Sequence, residues 1–118
     1  MNWNHLETIE QVSELAESSR SNPVVIFKHS TRCGISSMVK RRFERGVSER
    51  FTDTAQFYYL DLIKFRHVSN AIAERFNVQH ESPQLILVHN GTAIYNTSHN
   101  GINAEALEQQ LQVVSSNS

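Results

Sequence analysis

Apolar positions along this chain change their period several times, and each change marks an element. In HLETIEQVSELAE, Leu6, Ile9, Val12 and either Leu15 or Ala16 recur at steps of three and four, which predicts a helix that buries this face. SSRSNP ends it. VVIFK, Val24 to Lys28, is a β-branched and aromatic run after Pro23, too short for a helix and suited to a buried strand. From Ile35 the helical period returns, with Ile35, Met38, Val39 and Phe43 as the inward stripe and Lys40, Arg41, Glu44 and Arg45 facing water. This helix is expected to end near Gly46.

FYYLDL, Phe57 to Leu62, predicts a second strand, and RHVSNAIAERFNV sets Val68, Ala71, Ile72 and Phe76 on a third helical face. After QHESP, the runs QLILVH (Gln84 to His89) and TAIYNT flank Asn90-Gly91, the dipeptide best suited to a two-residue hairpin turn. Asn103 can cap a final helix that buries Leu107, Leu111 and Val114, with SSNS as a fraying polar tail. The predicted order is a leading helix followed by βαβαββα. It implies an α/β fold in which a right-handed crossover makes a parallel strand pair, the hairpin extends it into a mixed four-stranded sheet, and helices cover both faces. No repeat or linker interrupts it, and 118 residues suit a single domain.

Composition narrows the function by exclusion. A net charge of -1 gives no footprint for nucleic acid or an anionic membrane, and no apolar run approaches the roughly 18 residues of a membrane helix. The opening MNWNHLETIE lacks the pattern of a secretory signal, so the expected location is the cytoplasm, with a small soluble ligand or a protein as partner. With one cysteine the chain can form no internal disulfide. Six histidines invite a metal, but no pair shows the i, i+4 spacing of a helical zinc site, and no metal is expected.

That one cysteine, Cys33, stands in STRCGISS between a predicted strand and a predicted helix, with polar residues on both sides. A packing cysteine belongs in an apolar run, whereas a reactive one needs a polar, partly exposed setting. Three features are expected to favour its thiolate: the free N–H groups and partial positive charge of a helix start, the Arg32 cation, and hydroxyl donors on Thr31, Ser36 and Ser37. Gly34 leaves room for a second sulfur to approach. The spacing is C-x-x-C with Ser36 in the second place, so a mixed disulfide on Cys33 has no internal thiol to break it and requires one from outside. His29 shares strand parity with Thr31 and Cys33 and is a candidate to activate the thiol, and His99 is a candidate to return near it after the hairpin.

IFKHSTRCGIS (Ile26 to Ser36), YLDL (Tyr59 to Leu62), ESPQLILVHNG (Glu81 to Gly91) and TSHNGIN (Thr97 to Asn103) together resemble the monothiol bacilliredoxins, thioredoxin-like proteins that work with the small thiol bacillithiol. One departure is Gly34, where the family often has proline. The resemblance implies that bacillithiol is a co-substrate rather than a bound cofactor, that S-bacillithiolated proteins are the clients, and that Cys33 is the catalytic thiol. It implies a cis bond before Pro83 facing the cysteine, the Ser82 backbone pairing with substrate, and Ser36 hydrogen-bonding the thiolate. Bacillithiol carries a malate group, so Lys28, Arg32 and Lys40 are candidates to orient it, and His29 belongs to the same expected substrate site. CGIS also resembles the CGFS of monothiol glutaredoxins, which carry a [2Fe-2S] cluster, but the Gly-Gly-x-Asp turn of that group is replaced here by TSHNGIN. A third reading is a thioredoxin-like binding module whose cysteine is only capped by bacillithiol.

Overall fold

The computed structural model of the protein describes residues 1–116. The chain runs β1 (Asn4–His5), α1 (Ile9–Ser18), β2 (Val24–His29), α2 (Gly34–Gly46), α3 (Glu49–Thr52), β3 (Gln56–Asp61), α4 (Arg66–Phe76), β4 (Gln84–His89), β5 (Thr92–Ser98), a 3-10 turn (His99–Gly101) and α5 (Ala104–Ser116). The strands form one five-stranded sheet in the order β1-β3-β2-β4-β5. β2 is central, parallel to β3 and antiparallel to β4, so the crossover and hairpin lie where the hydrophobic pattern puts them. The sheet has a fifth strand rather than four, because β1 pairs in parallel with β3 (Asn4 with Tyr58, His5 with Tyr59). Two exposed polar residues carry no alternation from which such a strand could be read. α5 continues through Ser116, into the SSNS stretch expected to fray, and residues 117–118 of that stretch lie outside the described residues.

The first helix also starts later than its apolar period suggests. Thr8 caps α1 and forms a reciprocal box with Gln11, so Leu6 precedes the helix and Ile9, in its first turn, is half exposed. Leu6 is nonetheless fully buried, and its N–H donates to the Tyr59 carbonyl (2.9 Å), so the residue continues the β1 edge into the core.

All six residues of β2 are buried, because helices cover both of its faces. Val24 and Ile26 pack with Val12, Leu15, Val68, Ile72 and Phe76 of α1 and α4. Val25 and Phe27 pack with Val39, Phe43, Leu107 and Leu111 of α2 and α5. The hairpin turns on Asn90 and Gly91, both at positive φ (52° and 76°), as a two-residue turn between His89 and Thr92 requires. Asn103 Oδ1 accepts the Ala106 N–H at 3.0 Å and caps α5.

Candidate active site

β2 stops at His29, and Ser30 to Cys33 form a tight turn in which the Cys33 N–H donates to the Ser30 carbonyl (3.1 Å). Cys33 is the N-cap of α2, in extended backbone (φ -106°, ψ 115°), and its side chain is exposed and makes no capping bond. The first-turn N–H groups of a helix have no intrahelical acceptor, and α2 carries no acidic residue there to neutralise their partial positive charge. A thiolate at this position therefore faces donors and a positive helix end. Arg32 and Thr31 are exposed in the same turn. Gly34 is the first residue of α2, and a Cβ placed on it would meet nothing within 4 Å, so the approach to Cys33 from that side is open.

The inward face of α2 is rotated from the one its apolar residues predict. Ser36, Val39 and Phe43 are buried, whereas Ile35 and Met38 are 60% and 55% exposed beside the cysteine. The reason is the environment of Ser36. Its hydroxyl lies 2.7 Å from His29 Nδ1 and accepts the Ser30 N–H at 3.2 Å, so a polar residue takes the first inward place. Ser36, expected to bond the thiolate, is engaged with His29. His29, expected at the substrate, is itself buried under α2, with its ring against Phe27 and Tyr59. Burial and the Lys40 cation push its imidazole below the usual range, partly opposed by Asp61 and Glu44.

Lys28 departs most from expectation. Strand parity turns it to the face opposite α2, where it is fully buried and cannot reach a ligand at Cys33. Its Nζ lies 3.4 Å from the Ser69 carbonyl and 3.4 Å from His80 Nδ1, which in turn is 3.2 Å from Ser69 Oγ. Burial lowers its pKa to about 8. Lys40 is not on the solvent face either. It sits over the rings of Trp3 (5.5 Å) and Tyr59 (5.1 Å) and pairs with Glu44 at 2.9 Å, while Glu44 also accepts the Trp3 Nε1–H at 2.6 Å. Burial pushes the Glu44 carboxyl up, but the Trp3 and Lys40 hydrogen bonds outweigh it and hold the group below the usual range. Periodicity gave no sign of this cluster, because Trp3 arrives from a segment with no pattern of its own.

The Ser82-Pro83 bond is cis, Pro83 is buried, and Ser82 Oγ is buried without a protein partner. His99, exposed and at positive φ (54°), donates its N–H to the Pro83 carbonyl at 3.0 Å, which brings TSHNGIN to the proline loop by backbone rather than by imidazole. Among the described residues no group of three or more His, Cys, Asp or Glu side chains could hold a metal ion, and no helix is long and apolar enough to cross a membrane.

A sequence profile of the family described as Monothiol bacilliredoxin BrxC matches residues 4–107. The chain belongs to the monothiol bacilliredoxin family. A solved thioredoxin-fold protein assigned as an oxidoreductase is 34% identical, with 89% of each chain covered and a TM-score of 0.76. The thioredoxin of Malassezia sympodialis (17% identity, 94% of this chain and 89% of that one, TM-score 0.72) shares the fold. So does that of Trypanosoma brucei brucei (18%, 96% and 90%, TM-score 0.71). The fold is thioredoxin-like, and family and site together support a thiol redox role for this bacilliredoxin-family chain.

Proposed function

We propose that the chain is a monothiol thiol-disulfide oxidoreductase that removes bacillithiol from S-bacillithiolated proteins. The Cys33 thiolate attacks the bacillithiol sulfur of a mixed disulfide on the client. A bond forms between Sγ of Cys33 and that sulfur, the bond to the client sulfur breaks, and the client leaves as a thiolate that takes a proton from water. A second bacillithiol thiolate then attacks the bacillithiol sulfur held on Cys33, restoring the Cys33 thiolate and releasing bacillithiol disulfide. Electrons balance, since the client sulfur is reduced to a thiol as the sulfur of the incoming bacillithiol is oxidised, while the first bacillithiol sulfur stays at the disulfide level throughout.

The observation that carries this reading is an exposed thiol at the open start of α2 with Ser36 where a resolving cysteine would stand. Exposed Ile35 and Met38 give the thiol an apolar border for a client chain, and Arg32 is the exposed cation left to meet the malate group of bacillithiol. The test is intact-mass spectrometry of the protein mixed with a bacillithiolated client. The wild type should gain the adduct as the client loses it, and Cys33→Ser should do neither. A client that keeps its adduct beside the wild type contradicts the proposal; a brown, glutathione-dependent dimer would then indicate a cluster carrier, and its absence a binding module.

A further inference from the structure

The exposed side of α2 changes character along its length. Gly34, Met38, Arg41 and Arg45 follow one another at steps of four, three and four, so they form one stripe that runs from the thiol to the far end of the helix. All four are exposed, and exposed Ile35 borders them beside Cys33. The stripe is thus apolar next to the thiol and cationic beyond it. With about 1.5 Å of rise per residue, Arg41 and Arg45 stand roughly 12 and 18 Å along the axis from Cys33. Among the described residues the ion pairs are Lys40 with Glu44 and Arg20 with Glu17, and neither Arg41 nor Arg45 donates a side-chain hydrogen bond. Glu44, the one carboxylate of α2, is held by Trp3 and Lys40. Arg42 donates to the Ile102 carbonyl at 3.3 Å, towards α5. Arg41 and Arg45 are four apart, so their like charges repel across one turn. The negative end of α2 compensates Arg45 but not Arg41, which lies before the last turn.

The helix layer on the other face of the sheet is charged the opposite way. Glu7, Glu10, Glu14 and Glu17 are exposed at and along α1, at steps of three and four, and α1 packs against the face that α2 does not touch. The net charge of -1 therefore hides a separation, with the cationic side next to the thiol. We propose that the exposed stripe of α2 is the docking face for client proteins and selects those with an acidic segment near an apolar-flanked, modified cysteine. Extended chain rises about 3.3 Å per residue, so the acidic residues that meet Arg41 and Arg45 lie about four to six positions from that cysteine. A polypeptide fits better than nucleic acid. Two cations bordered by Ile35 and Met38 suit a chain with both apolar and acidic side chains, whereas a phosphate backbone needs a longer run of cations and gains little from the apolar end. This inference rests on the reading of Cys33 as the thiol that meets clients, and docking itself makes and breaks no covalent bond.

The experiment uses synthetic peptides whose single cysteine carries thionitrobenzoate in a mixed disulfide. Attack by the Cys33 thiolate on the peptide sulfur joins the peptide to Cys33 and releases the coloured thionitrobenzoate anion, so no bacillithiol is needed. Three peptides share an apolar centre around the cysteine and carry glutamate, glutamine or lysine at the fourth and sixth positions on each side. Expected for the wild type at low ionic strength is release from the glutamate peptide roughly fivefold faster than from the glutamine peptide, the size of two exposed ion pairs. The gap should close in about 0.5 M salt. Arg41→Glu combined with Arg45→Glu should reverse the order and favour the lysine peptide. Equal rates for the glutamate and glutamine peptides in the wild type overturn the proposal, as does a glutamate preference that persists in the double variant, or no release from any peptide. A short single-stranded DNA that slows release as strongly as a cysteine-free glutamate peptide would show a face for any polyanion and overturn it too. Because the first contrast lies within the wild type, it survives a variant that folds poorly. If the preference holds while bacillithiol transfer fails, the docking face stands and the proposed reaction falls.

Discussion

Lys28 and His29 are neighbours on β2, both polar and both buried, and the sheet sends them to opposite faces with opposite outcomes. His29 meets a hydroxyl at 2.7 Å under the α2 start, a short bond that a neutral ring can make fully. Lys28 meets a carbonyl and an imidazole, each at 3.4 Å, and no carboxylate among its described hydrogen-bond partners. One polar group is thus placed where it serves the cysteine turn, and the other is held as a costly amine beneath the loop that carries Pro83. Burial alone does not identify a functional group; the partner and the face do.

The largest expected effect separates the two faces by chemistry. Cys33→Ser should reduce adduct transfer to the uncatalysed rate, while Lys28→Met should leave transfer measurable, as followed by intact mass. On stability the order reverses. A lysine whose pKa falls from 10.5 to about 8 carries a penalty of roughly 3 kcal/mol at neutral pH, so Lys28→Met should raise stability by about 1–3 kcal/mol in urea unfolding. A loss instead would show that the amine's hydrogen bonds outweigh its desolvation.

Ser36→Ala acts on the other face and in the other direction. It leaves His29 Nδ1 and the Ser30 N–H without their partner and should cost about 1–3 kcal/mol. An unchanged unfolding midpoint would mean that water replaces the hydroxyl.

Dependence on pH sharpens the contrast further. Between pH about 8 and 10.5 the unfolded chain holds the Lys28 proton and the folded one does not, so stability should rise with pH there. Tyr58 and Tyr59, raised by burial, oppose this above their ordinary range near pH 10, so the window to measure is pH 8 to 9.5, where Lys28→Met should flatten the slope. The His29 imidazole, held low by burial and Lys40, acts at the acid end. As pH falls through about 6.5 the unfolded histidine takes a proton that the folded one refuses, and stability falls. His80, lowered by burial and then by Lys28 and Arg66, adds to the same slope. The smallest effect belongs to Gly34→Pro. The first helical position needs no N–H partner and a Cβ there meets nothing, so proline should fit and add about 0.4–1 kcal/mol.

Much of the sheet was legible because each long element has its own period: β2 and β4 as continuous apolar runs, the hairpin from Asn90-Gly91, α4 and α5 from their stripes. β1 and α3 were not, since two and four residues are too few to show a period. Cys33 could be singled out by its place in the chain. The orientation of α2 could not, because the stripe reading counts apolar residues, and the residue that turns the helix inward is Ser36, held by a histidine seven positions back. Lys28 misled for a related reason, since a cation near a cysteine in sequence lies on the far face of the sheet when strand parity is odd.

The central claim is that one thiol does the attack and that an outside thiol must complete the cycle. Turnover of a bacillithiolated client should be followed with enzyme far below client and with free bacillithiol varied. The account predicts a single stoichiometric transfer without added bacillithiol, leaving the adduct on Cys33, and a turnover rate that rises in proportion to bacillithiol when it is supplied. Many turnovers with no external thiol present would contradict it.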